Sequence, residues 1–111
     1  MSLKIKLSPL VLITVAGTYT DEGGQAQPFD FKLKCERKGS NEWAEVFKEG
    51  EKLSESFARI TQGWEGVLDE QGIAVPYSKE ALEELFKIPG VPGLAHHSYV
   101  MGSGAQAKEK N

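Results

Sequence analysis

The chain has 111 residues, of which 40% are hydrophobic and 26% charged, and its formal net charge is −3. This length and composition predict one globular domain with a core of its own. The longest apolar run is too short to cross a membrane, the mild acidity argues against a bulk nucleic-acid binder, and the single cysteine excludes an internal disulfide. Pro9 interrupts the apolar stretch near the start, which argues against a secretory signal.

The first third of the chain predicts β-strands. Residues 10–20 are rich in β-branched and aliphatic side chains, and residues 29–36 alternate between apolar and charged ones. The alternation places four side chains on one buried face, namely Phe29, Phe31, Leu33 and Cys35. The polar residues 21–28 between the two strands predict a loose hairpin loop, and the alternating residues 3–7 predict a short edge strand.

The middle of the chain predicts helices over residues 40–64, where apolar residues recur every three or four positions. Either Ser40 or Asn41 is expected to cap the first helix. Gly50 interrupts the apolar stripe, so we expect a break or kink there rather than one long helix. The helical region is expected to end near Trp64, with Gly63 supplying the left-handed stop.

The next elements have clear local signals. Residues 69–72 have the composition of a turn, and Ser78 is positioned to cap a compact helix over residues 79–87. The Pro-Gly-Val-Pro-Gly sequence at 89–93 predicts an abrupt loop.

The last structured piece is an amphipathic segment at 94–101, for which a helix is expected, before a flexible polar tail at 105–111. We therefore predict a single α+β domain over residues 1–104: an N-terminal antiparallel β-hairpin at about 9–38, followed by three or four packed helices at about 40–101. The predicted core consists of Phe31, Leu33, Phe57, Ile60, Trp64, Leu82, Leu85 and Phe86.

Charge is distributed unevenly along the chain. Residues 1–40 hold six basic and four acidic side chains, a net of +2, and residues 41–89 hold five basic and eleven acidic ones, a net of −6. Two explanations remain open. Glutamate is a good helix former, so a helical segment becomes acidic without a function, or the acidic surface meets a basic partner.

The residues that could carry catalysis form no recognisable constellation. No phosphate-binding loop, dinucleotide fingerprint or nucleophile elbow is present, and no cofactor is expected. His96 and His97 are adjacent, so they point in different directions on a helix and do not form a two-ligand metal face. Cys35 lies on the apolar face of a strand, which predicts an inert buried thiol. We expect neither catalysis nor a bound metal. The alternative is an enzyme that uses Cys35 with one of the two histidines.

The aromatic and apolar residues of the helical half are the candidates for partner binding. Trp43 and Trp64 lie near predicted helix ends, where they belong either to the core or to a binding surface, in which Trp is enriched. The partner-binding candidates are Trp43, Phe47, Trp64, Leu94, Tyr99 and Met101. Because 89–93 predicts a loop, the piece from Leu94 onward is expected to be a mobile arm that closes over a client or docks on a neighbouring copy.

Two stretches of the chain carry a family resemblance. Residues 57–67 are Phe-Ala-Arg-Ile-Thr-Gln-Gly-Trp-Glu-Gly-Val, Asp69 and Gly72 follow, and residues 75–82 are Val-Pro-Tyr-Ser-Lys-Glu-Ala-Leu. This pattern, with the lysine-containing β segment at 29–38, resembles the small tail assembly chaperones of long-tailed bacteriophages and prophages. The loops at 21–28 and 89–93 have no counterpart in that pattern.

The resemblance implies a non-catalytic protein of the bacterial host cytoplasm that is absent from the mature virion. Its expected partners are the tape measure protein, which it keeps soluble, and the tail tube protein, whose subunits it helps to recruit. The resemblance also implies a homo-oligomer, with no nucleic-acid or membrane partner. The alternative is a small structural or protein-interaction component of a phage particle, whose β-strands pair with those of a neighbour.

Overall fold

The computed structural model describes residues 2–105, which form one three-stranded antiparallel sheet and four α-helices. The strands, in sheet order, are β1 (Leu10–Thr20), β2 (Ala26–Glu36) and β3 (Thr61–Glu65). The helices are α1 (Trp43–Val46), α2 (Leu53–Ile60), α3 (Lys79–Leu85) and α4 (Val91–Ser103). The predicted α+β fold with an N-terminal hairpin is confirmed. Of the predicted polar tail, residues 106–111 lie outside the described part of the chain.

The hairpin lies within the predicted range, and its turn is shorter than predicted because β2 begins at Ala26. β1 and β2 pair from Leu10 opposite Glu36 to Thr20 opposite Ala26. The turn is short because the Asp21 carboxylate accepts backbone hydrogen bonds from Gly23 and Gln25, each at 2.9 Å. These bonds, together with the hydrogen bond from Gln27, lower the pKa of Asp21.

The predicted edge strand at residues 3–7 does not form. Leu3 and Ile5 are almost entirely exposed, and these residues have no regular structure. The alternation predicts a strand, but a strand needs a partner, and this segment pairs with none of the three strands, although β1 is at the edge of the sheet.

The break at Gly50 is confirmed, because α1 ends at Val46, Gly50 has a φ of 79° and α2 begins at Leu53. The predicted cap is wrong. Neither Ser40 nor Asn41 caps a helix; instead a single 3-10 turn (Ser40–Glu42) precedes α1, and the Glu42 carboxylate accepts a 3.1 Å hydrogen bond from the backbone N–H of Gly39.

The predicted end of the helical region is also wrong, because the helix stops at Ile60 and the next five residues form β3. β3 pairs with β2 from Glu65 opposite Lys32, with a bulge between Lys34 and Cys35. The glycine with positive φ is Gly66, at 86°, rather than Gly63. Trp64 therefore lies opposite Leu33 in the sheet instead of folding back on a helix.

The turn at 69–72 and the Ser78 cap are both as predicted. Asp69 Oδ1 accepts backbone hydrogen bonds from Gln71 and Ile73, Gly72 has a φ of 79°, and a bridge joins Leu68 to Ala74. We call residues 67–75 the small hairpin. The Ser78 hydroxyl accepts a 3.0 Å hydrogen bond from the N–H of Ala81 at the start of α3.

The final helix begins earlier than predicted. α4 starts at Val91, because Gly90 makes the turn with a φ of 89° and Pro92 is compatible with the first helical turn. The segment at 89–93 is therefore only partly a loop. α4 then runs along β1 in the opposite direction: a Cβ on Gly17 would lie 3.0 Å from Leu94, and one on Gly102 would lie 3.2 Å from Ile13.

The core lies between the inner face of the sheet and the four helices. Six of the predicted core residues are buried, whereas Trp64 and Leu85 are half-buried. Cys35 is buried as the strand alternation predicts, and the other buried hydrophobic side chains outside the predicted core are Ile13, Val15, Val46, Val91, Ala95 and Tyr99. Because Ala95 and Tyr99 have no exposed surface, α4 is part of the core, and the expectation of a mobile arm from Leu94 onward is wrong.

Candidate partner-binding groove

An apolar groove opens between the turn end of the β1–β2 hairpin and the corner that joins α3 to α4. Its volume is about 350 Å³, and it is lined by Tyr19, Phe29, Asp30, Phe31, Gly66, Val67, Leu68, Leu85, Ile88 and Val91. An extension of the groove along the same corner includes Pro89 and Leu94. Three of the lining side chains remain about half exposed: Tyr19 at 54%, Leu68 at 58% and Ile88 at 49%. We call this feature the apolar groove.

Aromatic side chains of the hairpin form one wall of the apolar groove. The rings of Tyr19 and Phe29 are 6.4 Å apart, and those of Phe29 and Phe31 are 6.3 Å apart and nearly parallel. These spacings are typical of favourable aromatic pairs. The wall changes from buried at Phe31 to exposed at Tyr19, so the apolar groove opens toward the hairpin turn.

Two glycines allow the elements around the apolar groove to approach each other. A Cβ on Gly17 would lie 3.0 Å from the side chains of both Leu94 and Phe29, so a larger residue would require these two side chains to move. Gly66 combines a φ of 86° with a position beside the Phe31 backbone, where the chain leaves β3 and turns toward Leu68. The groove is thus a product of the backbone as much as of its apolar side chains.

The lining is almost free of charge. Asp30 is the single charged residue that lines the apolar groove in the described part of the chain, and it alternates with Phe29 and Phe31 along β2, so its side chain belongs to the opposite face of the strand. Such a surface suits an apolar segment of a partner. It is poorly suited to acid–base chemistry.

Three of the predicted partner-binding residues, Trp43, Phe47 and Tyr99, lie together elsewhere, and the rings of Phe47 and Tyr99 pack on Phe57. The Tyr99 ring lies 6.1 Å from Trp43, 5.6 Å from Phe47 and 6.1 Å from Phe57. The Tyr99 hydroxyl donates to the Glu36 carbonyl at 2.9 Å, and the Trp43 indole donates to a carbonyl at 3.0 Å. We call these four rings the aromatic cluster. Tyr99 is fully buried, so its expected contact with a partner is corrected to a role in the core.

The other three predicted residues do not share one surface. The Trp64 indole donates a 2.7 Å hydrogen bond to the Val75 carbonyl, and its ring packs edge-on against Tyr77 at 5.1 Å. Trp64 thereby fixes the small hairpin to the sheet. Leu94 lines the extension of the apolar groove, and Met101 is 46% exposed on α4. Of the six candidates, only Leu94 belongs to the groove.

Sequence reasoning missed the exposed residues of the groove, above all Tyr19, Leu68 and Ile88. Each is one apolar residue at the end of a different element, so no local period marks it. One usable signal is the position of Ile88, since it follows the apolar stripe of α3 and precedes Pro89. The helical pattern of α3 ends before Ile88, so it does not place this apolar side chain in the core.

The candidate reactive residues Cys35 and His96 lie in surroundings that do not favour reactivity. Cys35 is fully buried, its Sγ lies 3.7 Å from Thr61 Oγ1, and burial raises the pKa of the thiol to about 11. The His96 ring packs edge-on against Phe47 at 4.8 Å. Among residues 2–105, no group of three or more His, Cys, Asp or Glu side chains is arranged to hold a metal ion.

Comparisons with protein-family models, curated proteins and solved structures found no match. Within the described residues, no helix is both long and apolar enough to cross a membrane.

Proposed function

We propose that this protein is a non-catalytic binding protein whose apolar groove holds an apolar segment of a larger client. The observation that carries the proposal is the exposure of Tyr19, Leu68 and Ile88 around one concave apolar surface. Concave, mostly apolar surfaces of this kind are the usual sites for ligand segments, and covering them removes apolar area from water.

The client that fits this proposal is a long helical protein with an apolar stripe. An amphipathic helix binds by placing side chains from successive turns into such a groove. With the resemblance of residues 57–67 and 75–82, this favours a tail assembly chaperone whose client is the tape measure protein. The same resemblance supports recruitment of tail tube subunits and activity in the host cytoplasm during assembly.

The acidic middle of the chain supports a secondary electrostatic role. Residues 41–89 carry a net charge of −6, and they include five of the residues that line the apolar groove: Gly66, Val67, Leu68, Leu85 and Ile88. Charges at a rim mainly raise the association rate and the salt sensitivity, whereas buried apolar area supplies affinity. A client with basic residues beside its apolar stripe is therefore expected to bind fastest at low salt.

The test is co-expression of the chain with the tape measure protein of the same phage genome, with soluble client as the measurement. Leu68→Lys places a charge in the apolar groove. Ile73→Lys is its matched control, because Ile73 lies in the same small hairpin and is 63% exposed but does not line the groove. We expect the wild-type chain and Ile73→Lys to keep the client soluble, and Leu68→Lys to lose this effect.

Two results contradict the proposal. The chaperone function fails if the client is equally soluble without the chain. The assignment to the apolar groove fails if Leu68→Lys, shown to be folded by circular dichroism, protects the client as well as Ile73→Lys does. If the chain instead remains in purified particles, it is a structural component of the particle.

A further inference from the structure

Three large apolar side chains stand in water immediately before β1. Leu3, Ile5 and Leu7 are 76%, 102% and 47% exposed, and they alternate with two lysines. In an extended conformation the three apolar side chains would share one face and the lysines the other. We call residues 3–7 the N-terminal segment. It has the pattern of a half-buried strand, yet it buries almost nothing against its own chain.

Hydrogen bonds from Arg37 hold the residues that follow this segment at the end of the hairpin opposite its turn. The Arg37 side chain donates to the Ser8 carbonyl at 2.9 Å, and the Arg37 backbone N–H donates to the Pro9 carbonyl at 2.7 Å. Ile5 lies three residues before Ser8, so it stays within about 11 Å of Ser8 even when the chain is fully extended.

The apolar groove lies at the opposite end of the hairpin. Phe29 in its wall pairs with Gly17, which is about 23 Å along β1 from Leu10 at a strand rise of about 3.3 Å per residue. Ile5 therefore cannot reach the groove of its own chain while Arg37 holds Ser8. It can reach the groove of another copy.

The two surfaces are complementary. The N-terminal segment carries Lys4 and Lys6 and no acidic residue, whereas the groove has apolar walls, and the wall with Leu68 and Ile88 belongs to residues 41–89, whose net charge is −6. Placed in the groove, the apolar face of the segment would cover exposed Tyr19 and Leu68 while the lysines remain in solvent. Both surfaces would lose the apolar area that each exposes alone.

We propose that the N-terminal segment of a second copy of this chain occupies the apolar groove when no client is bound. The contact joins two copies through residues 3–7 of one and the groove of the other. Its regulatory consequence rests on the proposed function: a client must displace the segment, so self-association protects the groove until a client arrives. The contact between copies stands without that function.

The first test is the oligomeric state of the purified full-length chain without client, measured by analytical ultracentrifugation over a range of concentrations. We expect wild type to associate reversibly. Ile5→Lys changes a side chain that contacts nothing in its own chain, and Leu68→Lys changes the groove; both are expected to shift the protein to single chains. Leu12→Lys is the control, since Leu12 is 49% exposed and lies outside the groove and the N-terminal segment, and it is expected to associate like wild type.

The second test maps the contact by cross-linking. A chain with Ile5→Cys is mixed with a chain carrying Leu68→Cys and oxidised mildly, and mass spectrometry measures the mixed disulfide. Native Cys35 does not compete, because it is fully buried. We expect the mixed disulfide to form several-fold faster than with a Leu12→Cys partner.

The outcomes separate this proposal from the proposed function. The proposal is overturned if wild type is a single chain at all concentrations, if Ile5→Lys leaves association unchanged, or if Ile5→Lys abolishes it while Leu68→Lys does not. Ile5→Lys, as single chains, is then co-expressed with the tape measure protein. If Ile5→Lys protects the client at least as well as wild type does, the groove binds both the client and the second copy. If association depends on both sites but neither wild type nor Ile5→Lys protects the client, only the proposed function fails.

Discussion

The aromatic cluster around Tyr99 and the apolar groove are built from similar side chains, yet one is closed and the other is open. Tyr99 and Phe57 have no exposed surface, and among the described residues no buried side-chain nitrogen or oxygen lacks a hydrogen-bond partner. In the groove, Tyr19 is 54% exposed and packs on one side only. The difference lies in coverage, because α1, α2 and α4 enclose the cluster whereas, within residues 2–105, Tyr19 and Leu68 in the groove stay more than half exposed.

This comparison assigns different physical roles to chemically similar residues. Removing a side chain from the closed region should reduce stability, because it leaves a cavity and unpaired polar groups. Changing a residue of the open region should alter association with a partner and leave stability almost unchanged. The four predictions below test that division, from the largest expected effect to the smallest.

Tyr99→Ala should cause the largest loss of stability, about 3–5 kcal/mol, because it empties the centre of the aromatic cluster. It also removes the hydroxyl that donates to the Glu36 carbonyl and accepts from the N–H of Lys38. Urea denaturation followed by circular dichroism measures the change. Met101→Ala on the same helix is the control, with a loss below about 1 kcal/mol; equal losses would show that α4 is not part of the core.

Ionisation of Cys35, which lies in the closed region, should lower the stability of the protein at alkaline pH. Burial raises the pKa of its thiol from the ordinary value of 9.0 to about 11, so the unfolded chain releases this proton at lower pH than the folded chain does. The contribution is fully present below about pH 9 and is lost as the pH rises through about 11, at up to about 1.4 kcal/mol per pH unit.

Cys35→Ala tests this loss of stability when urea midpoints are measured from pH 8 to 11. The variant should show a shallower loss of stability with rising pH than wild type. Part of the slope should remain, because burial also raises the pKa values of Tyr77 and Tyr99. Identical slopes in the two proteins would mean that the thiol is accessible to water in the folded chain.

Predictability from the sequence followed the range of the interactions involved. The β1–β2 hairpin was predictable because alternation at residues 29–36 is a local signal. β3 was not, since five residues from Thr61 to Glu65 become a strand only through pairing with β2. The helix α4 was predictable but its start was not, since the prolines and glycines at 89–93 are typical of a loop, although Gly90 and Pro92 also suit a turn followed by a helix start.

The groove was unpredictable for a related reason. Its exposed residues belong to the end of β1, the small hairpin and the α3–α4 corner, and only the tertiary fold brings these together. The predicted aromatic residues Trp43 and Tyr99 instead pack together in the aromatic cluster, where Tyr99 is fully buried. An exposed position cannot be inferred from residue type when the same residue types fill both regions.

Gly17→Val tests the junction between the two regions. A Cβ there would meet the side chains of Leu94 and Phe29 at 3.0 Å, so these side chains must move, at a cost of about 1–3 kcal/mol. Gly63→Val is the control, because a Cβ on that strand glycine has no atom within 4 Å. Thermal unfolding measures both, and an equal effect of the two substitutions would show that α4 does not pack closely on the hairpin.

Ile88→Lys should have the smallest effect on stability, below about 1 kcal/mol, because Ile88 is already 49% exposed and the aliphatic part of lysine can cover the same surface. Met101→Lys is the matched control, as Met101 is 46% exposed and lies outside the groove. Both variants should unfold within a few degrees of wild type, but only Ile88→Lys should weaken client protection and self-association. A loss above about 2 kcal/mol for Ile88→Lys alone would mean that the corner is closed in solution, and the division between a closed cluster and an open groove would then be wrong.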